Sequence, residues 1–151
     1  MKKIKIHSIN YHPGYGDMSG EFHEVSLKRD ANGNLTYVSR DREDHRCPTV
    51  TAVYTVSPEV FERLSEFISE KKILSLEKRP KSDLFATDYS PWRWSFAYET
   101  TSFGKTKTGY CSIDEYKRYS GRDYGLLNEL RERFTALRGE KISETAEDDN
   151  G

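Results

Sequence analysis

The sequence of 151 residues predicts an α+β fold, with a single antiparallel β-sheet of about six strands and two amphipathic helices packed on one face. Apolar and polar side chains alternate in six short segments, and apolar side chains recur with helical spacing in two others. At least two of the strand pairs are joined by tight turns, which connect antiparallel strands. The resulting order, ββββαββα, excludes a regular βαβ repeat.

The first four strands are predicted from alternation. In the first strand, residues 4–11, the apolar positions shift by one place near residues 7–8, which predicts a β-bulge there. Residues 21–29 and 35–40 form the next two strands, and the Asn32-Gly33 pair between them favours a tight hairpin turn. Alternation over residues 50–56 then predicts a fourth strand with one buried face.

The hydrophobic period changes at Ser57, which marks the start of the first helix. Pro58 suits the first helical position, and the Ser57 side chain can accept a hydrogen bond from a first-turn amide. Apolar side chains then recur with a spacing of 3.6 residues, at Val60, Phe61, Leu64, Phe67 and Ile68. We therefore predict a helix over residues 58–71.

Residues 92–98 place aromatic rings at every second position, namely Trp92, Trp94, Phe96 and Tyr98. An extended strand puts all four rings on one face. Such a face can stack nucleobases or sugars, but it also supplies the apolar surface that two helices have to cover, and we interpret it as core. A turn near residues 102–104 and a strand over 105–113 complete a second hairpin.

The last regular element is a helix that begins near Ser120, with Asp123 three residues on as a loose capping box, and ends before Gly139. Residues 1–139 are expected to form one globular domain. Residues 1–138 carry 23 Lys and Arg against 20 Asp and Glu, whereas residues 139–151 carry one Lys against five acids. Because this second segment is also poor in aliphatic side chains, we expect residues 140–151 to be a disordered acidic tail.

Several protein classes are disfavoured. No segment approaches the ~18 consecutive apolar residues of a membrane-spanning helix, and the basic start lacks the apolar run of roughly 7–15 residues that a secretion signal needs. Two cysteines are too few for a disulfide framework. We therefore expect a cytoplasmic protein that does not bind membranes. Walker, GxGxxG and CxxC patterns are missing from the sequence, so no cofactor and no metal are predicted.

Residues 82–92 combine two carboxylates, three Ser or Thr hydroxyls and a tyrosine, and they end at Trp92, the first ring of the aromatic strand. Asp83 and Asp88 could act as an acid and base only within the ~5–10 Å that carboxylate pairs use in hydrolysis, and both residue types are also ordinary turn formers. Trp, Tyr and Arg dominate the hot spots of protein interfaces. The candidate binding residues in and near this loop are Asp83, Asp88, Tyr89, Trp92, Arg93, Tyr119 and Arg122.

The charged segment 41–47 contains His45 and Cys47, which are the residue types of a reactive thiol or a metal site. A catalytic pair requires the imidazole to face the sulfur, and two residues in an extended segment do not ensure this geometry. We interpret the segment as a solvated loop. The alternative is a thiol or metal site completed by His7, His12 or Cys111.

These observations favour a small non-catalytic binding domain that recognises a protein partner through an aromatic and arginine-containing surface. The first alternative is a hydrolase that uses the Asp, His or Cys residues of the loops. The second is a weak nucleic-acid-binding protein, because residues 105–138 interleave eight Lys and Arg with four tyrosines. The sequence pI of about 6.4 lies below the ~9 common in that class. In this alternative the acidic tail would compete with the nucleic acid, and its removal would strengthen binding.

Overall fold

A computed structural model describes residues 3–14, 21–82 and 91–147. In chain order the elements are β1 (Lys3–His12), β2 (Phe22–Arg29), β3 (Leu35–Arg42), β4 (Thr49–Thr55), α1 (Pro58–Glu70), a 3₁₀-helix (Ile73–Lys78), β5 (Arg93–Ser102), β6 (Lys105–Asp114), α2 (Gly121–Thr135) and β7 (Lys141–Glu147).

The strands form one sheet in the order β6-β5-β1-β2-β3-β4-β7, and every neighbouring pair is antiparallel. This confirms an α+β fold built on a single antiparallel sheet. The described residues contain seven strands instead of six, in the order ββββαββαβ. Strand β1 lies near the middle of the sheet, between β5 and β2. Its first and last residues therefore lie at opposite ends of the sheet.

The β-bulge and the first hairpin turn form at the residues where the sequence predicts them. The register between β1 and β5 shifts between Ile6 and Ser8, which confirms the bulge. Gly33 has a φ of +84° in the turn between β2 and β3, where the Asp30 carboxylate accepts hydrogen bonds from the amides of Asn32 and Asn34 at 2.8 and 2.9 Å. The turn therefore forms because Gly33 tolerates positive φ and the Asp30 carboxylate satisfies turn amides.

Helix α1 spans Pro58–Glu70, close to the predicted range, and buries four of the five predicted apolar side chains, while Val60 is half-buried. The expected cap differs, because the Ser57 side chain makes no capping hydrogen bond and Pro58 alone marks the helix start. In α2 the capping box is complete. The Ser120 hydroxyl accepts from the Asp123 amide, and the Asp123 carboxylate accepts from the Ser120 amide, both at 3.0 Å. The chain after α1 forms a 3₁₀-helix.

The core lies between the sheet and the helices. Trp94 and Phe96 are each 2% exposed, and the Phe134 ring of α2 meets the Trp94 ring edge-on at 5.3 Å between centroids. The central part of the aromatic strand is therefore core, as expected, because it supplies the surface that α2 covers. Trp92 and Tyr98, at the two ends of the row, remain half-buried.

The expected disordered tail at residues 140–151 is the main correction. Residues 141–147 form β7, which pairs with β4, while residues 148–151 lie outside the described part of the chain. The approach to β7 is held at Thr55. Its carbonyl accepts from the Gly139 amide at 2.8 Å, and its hydroxyl accepts from the Glu140 amide at 2.9 Å. All side chains of β7 are exposed. The strand is therefore held by backbone pairing at the sheet edge, and its sequence carries no alternation of apolar and polar residues that would predict it.

Candidate functional site

Two of the predicted binding residues meet at one end of the sheet. The rings of Trp92 and Tyr119 lie 5.8 Å apart between centroids, with 32° between their planes. Tyr119 also meets Tyr124 edge-on at 5.5 Å, so three aromatic side chains form a continuous row. Asp83, Asp88 and Tyr89, the other predicted aromatic and acidic residues of this region, lie outside the described residues.

The row is held by hydrogen bonds at its base. The Tyr119 hydroxyl donates to the carbonyl of Asp114 at 2.6 Å, and burial raises the pKa of that hydroxyl. The carbonyl of Trp92 accepts from the Glu115 amide at 3.2 Å, which ties the start of β5 to the chain that follows β6. Tyr124 belongs to the first turn of α2, behind the Ser120 capping box. The ring positions are therefore set by secondary structure before any ligand binds.

Next to this row is a cleft of about 150 Å³ between the end of β1, the start of β5 and α2. We call it the aromatic cleft. The described residues that line it are Tyr11, Pro13, Trp92, Trp94, Tyr124, Leu127, Asn128 and Arg131. The Tyr11 ring stacks on Trp94 with 4.1 Å between centroids, so the floor of the cleft is continuous with the buried core.

One charged group lies among these described lining residues. Burial raises the pKa of the Tyr11 hydroxyl, and the nearby Arg131 guanidinium opposes this increase. Arg131 therefore places a positive charge of α2 beside the end of β1, next to the aromatic floor. Carboxylate, thiol and imidazole groups are missing from the described lining, so those residues supply binding groups and not an acid–base or nucleophile pair.

The two predicted arginines lie elsewhere. Arg93 alternates with Trp92 and Trp94 along β5 and therefore faces the opposite side of the sheet, where it neighbours His12. Burial lowers the pKa of His12, and the nearby Arg93 charge lowers it further. Arg122 is exposed on the first turn of α2 and lines a different cavity, together with Lys71. Neither arginine belongs to the aromatic cleft.

His45 and Cys47 lie in the connection between β3 and β4. Burial and the Asp44 carboxylate raise the pKa of the Cys47 thiol, which disfavours the thiolate that a nucleophile or metal ligand requires. Cys111 lies on β6, four strand spacings from β3 and hence about 19 Å away, and burial raises its pKa to about 12. The structure therefore does not bring the two thiols together.

His7 and His23 lie beside carboxylates. His7 lies 3.0 Å from the carboxylate of Glu99, and His23 lies 2.8 Å from that of Asp41. The Asp41 hydrogen bond raises the pKa of His23. Across the described ranges, no group of three or more His, Cys, Asp or Glu side chains is arranged to hold a metal ion.

The tyrosines that suggested nucleic-acid binding are divided between two surfaces. Tyr110 is 77% exposed on β6, where alternation with the buried Cys111 turns it to the side of the sheet opposite the helices. Tyr119 and Tyr124 lie on the helix side, beside Trp92. Strand β7 lies at the sheet edge opposite β6, so the acidic segment 141–147 does not lie along that strand.

The sequence did not identify Tyr11, Tyr124, Asn128 and Arg131 as residues of this cleft. The last three follow one another at spacings of four and three residues on α2, which is the pattern of one helix face and was available in the sequence. Tyr11 was not predictable in this way. It reaches the site because it is paired in register with Trp94, which is distant in the chain.

Comparison of the chain with protein-family models, curated proteins and solved structures finds no match. Neither helix in the described ranges combines the length and apolar content that crossing a membrane requires.

Proposed function

We propose that this protein is a non-catalytic binding module whose aromatic cleft receives one side chain of a partner protein. The observation that carries the proposal is the row of Trp92, Tyr119 and Tyr124 beside the Arg131 guanidinium. Trp, Tyr and Arg are the residue types that contribute most of the binding energy at protein interfaces. A cleft of about 150 Å³ matches the size of cavity that accepts a benzene ring.

Preorganisation supports the same function. Tyr119 is held through its hydroxyl by the Asp114 carbonyl, and the Tyr11 ring is stacked on Trp94, so docking would immobilise few additional torsions. Ordering a flexible side chain at an interface costs about 0.5–1.5 kcal/mol, and aromatic side chains fixed in advance avoid much of this cost. Tyr124 is 48% exposed and leaves the row accessible from solvent.

The chemistry of the cleft indicates which partner segment fits. Its rings favour an aromatic or large aliphatic side chain, and Arg131 favours a carboxylate close to that side chain. We therefore expect the partner to present an apolar residue next to an Asp, a Glu or a chain terminus. Arginine pairs with carboxylates through two parallel hydrogen bonds, which would add orientation as well as affinity.

A library of random peptides displayed on phage tests the proposal with the complete chain as bait. Enriched peptides are synthesised, and their dissociation constants are measured by fluorescence anisotropy. We expect selected peptides to combine an apolar anchor with an acidic group. Replacing Tyr124→Ala or Arg131→Ala should weaken their binding at least about tenfold, because hot-spot truncations cost more than about 1–2 kcal/mol.

Two matched variants are the controls. Tyr110→Ala removes an exposed tyrosine from the opposite side of the sheet, and Arg63→Ala removes an exposed arginine from α1. Both should retain the affinity of the wild type. The proposal is overturned if the library gives no binder, or if the selected peptides bind Tyr124→Ala and Arg131→Ala as tightly as the wild type while all variants show the same unfolding transition.

A further inference from the structure

A second cavity, of about 430 Å³, lies at the other end of β1 and β5 from the aromatic cleft. It opens where the last turn of α1 and the start of the 3₁₀-helix approach Ile4 of β1 and Tyr98 of β5. Ile4 and Tyr11, which line the two sites, are separated by seven residues of strand, or about 23 Å. The second cavity is therefore a separate site and not an extension of the aromatic cleft.

The floor of this cavity is apolar. Ile4, Ile68 and Leu74 supply aliphatic groups, and Tyr98 supplies an aromatic wall. Tyr98 can lie against β6 only because position 109 is glycine, since a Cβ there would come within 2.5 Å of the tyrosine Cζ. The volume falls within the range of roughly 300–1,000 Å³ that small-molecule sites occupy.

Two lysines, Lys72 and Lys78, line the same cavity. Lys72 has a φ of +53°, and its carbonyl accepts from both the hydroxyl and the amide of Ser75, at 2.6 and 3.0 Å, which holds the turn between α1 and the 3₁₀-helix. Within the described ranges, neither ammonium group forms a salt bridge and no carboxylate lines the cavity. The cavity therefore combines an apolar floor with uncompensated positive charge.

We propose that this cavity binds an amphiphilic anion. Its hydrocarbon or aromatic body lies against Ile4, Ile68, Leu74 and Tyr98, and its single acidic head group lies between Lys72 and Lys78. Apolar contact accounts for most of the affinity of such a ligand, and the two ammonium groups select an anion over a cation of the same size. This site is additional to the aromatic cleft and does not depend on the proposed partner.

The fluorescent sulfonate 1-anilinonaphthalene-8-sulfonate is a suitable probe because it joins an aromatic body to one anionic group. Titrated against the native full-length chain, it should bind saturably to one site. Decanoate should displace the probe, whereas decyltrimethylammonium, which has the same chain length and the opposite charge, should displace it only at concentrations about tenfold higher or more.

Variants then locate the probe. Lys72→Asn keeps a residue type that tolerates positive φ while removing the charge, and Lys78→Gln removes the second charge. Each should raise the dissociation constant about fivefold, as expected for loss of one partly screened ion pair. Lys28→Gln, a charge removal on the opposite side of the sheet, should have no effect. Thr100→Phe, which fills the cavity from β5, should abolish saturable binding.

Near-ultraviolet circular dichroism of each variant shows whether the native packing is retained. The proposal is overturned if natively packed Thr100→Phe binds the probe as the wild type does. It is also overturned if Lys72→Asn and Lys78→Gln match Lys28→Gln, or if decyltrimethylammonium competes as well as decanoate. The Tyr124→Ala variant of the aromatic cleft should bind the probe normally.

Discussion

Arg79 and Asp123 form a paired contact that joins the end of the 3₁₀-helix segment to the first turn of α2. Arg79 Nε lies 2.9 Å from one Asp123 carboxylate oxygen, and a terminal guanidinium nitrogen lies 3.2 Å from the other. Asp123 is only 4% exposed and also completes the capping box of α2. One carboxylate therefore sets both the start of this helix and its attachment to the segment that follows α1.

The ion pair and the cap can be separated by mutation. Asp123→Asn keeps an acceptor for the Ser120 amide but removes the charge, and we expect it to lower the free energy of unfolding by more than Ser120→Ala does, because Arg79 loses its partner. Ser120→Ala removes the hydroxyl cap and should cost about 1 kcal/mol. Urea unfolding measures both. Equal effects of the two substitutions would contradict a dominant ion pair.

The same carboxylate predicts a pH dependence. The Arg79 hydrogen bonds lower the pKa of Asp123 from 3.8 to about 2. Because the folded-state pKa is depressed, the stabilisation is fully present above the unfolded-state pKa and is lost as pH falls through about 2. The difference in unfolding free energy between the wild type and Asp123→Asn should therefore shrink between about pH 4 and pH 2. A difference that stays constant over this range would contradict the pairing.

Two glycines of the C-terminal region should respond oppositely to alanine. A Cβ on Gly139 would lie 2.5 Å from the Thr55 hydroxyl and 2.7 Å from the Thr55 carbonyl, so Gly139→Ala should destabilise the fold by about 1–3 kcal/mol. A Cβ on Gly125, within α2, meets nothing within 4 Å. Gly125→Ala should therefore stabilise by about 0.5–1 kcal/mol, through the higher helix propensity of alanine. Thermal unfolding of both variants measures the opposed signs.

Strand β7 covers the outer edge of β4, and removing it should expose that edge. Truncation after Gly139 should lower the unfolding free energy by about 2 kcal/mol or more, since several backbone hydrogen bonds are lost, and should promote self-association of the β4 edge. Size-exclusion chromatography at increasing concentration detects association. The double replacement Glu144→Gln and Glu147→Gln removes charge but keeps the strand, and it should leave the chain as stable as the wild type.

The turn between β5 and β6 contains a phenylalanine in the left-handed region. Phe103 has a φ of +52°, is 94% exposed, and precedes Gly104 at +77°. Two-residue hairpin turns with positive φ at both positions favour Asn-Gly. Phe103→Asn should therefore raise the unfolding free energy by about 0.5–1 kcal/mol. Phe103→Ala serves as the control, since it removes the ring without relieving the backbone.

The predictions from sequence succeeded where a signal is local. The bulge at residues 7–8, the Asn32-Gly33 turn and the Ser120 capping box each depend on neighbouring residues, and each forms as expected. The Ser57 cap did not form, although Pro58 still marks the start of its helix. Pro58 is sufficient there because its ring sets φ and it lacks an amide that would need a partner.

Two features could not be predicted from the sequence, and the reason is the same for both. The segment 141–147 has no buried side chain, and its structure comes from pairing with a strand about ninety residues earlier, which periodicity does not report. Tyr11 likewise reaches the aromatic cleft through its register with Trp94. In both cases the energy comes from contacts between distant parts of the chain.

The amino-acid sequence by itself determined the class of fold, the two helices, the hairpins and the burial of the central aromatic rings, because those depend on side-chain periodicity and turn chemistry. Tertiary structure decided which half-buried aromatic side chains meet, where Arg131 lies, and which edge β7 covers. Strand order and register control these arrangements. The sites of both proposals therefore depend on pairing that brings the ends of β1 and β5 against helical side chains.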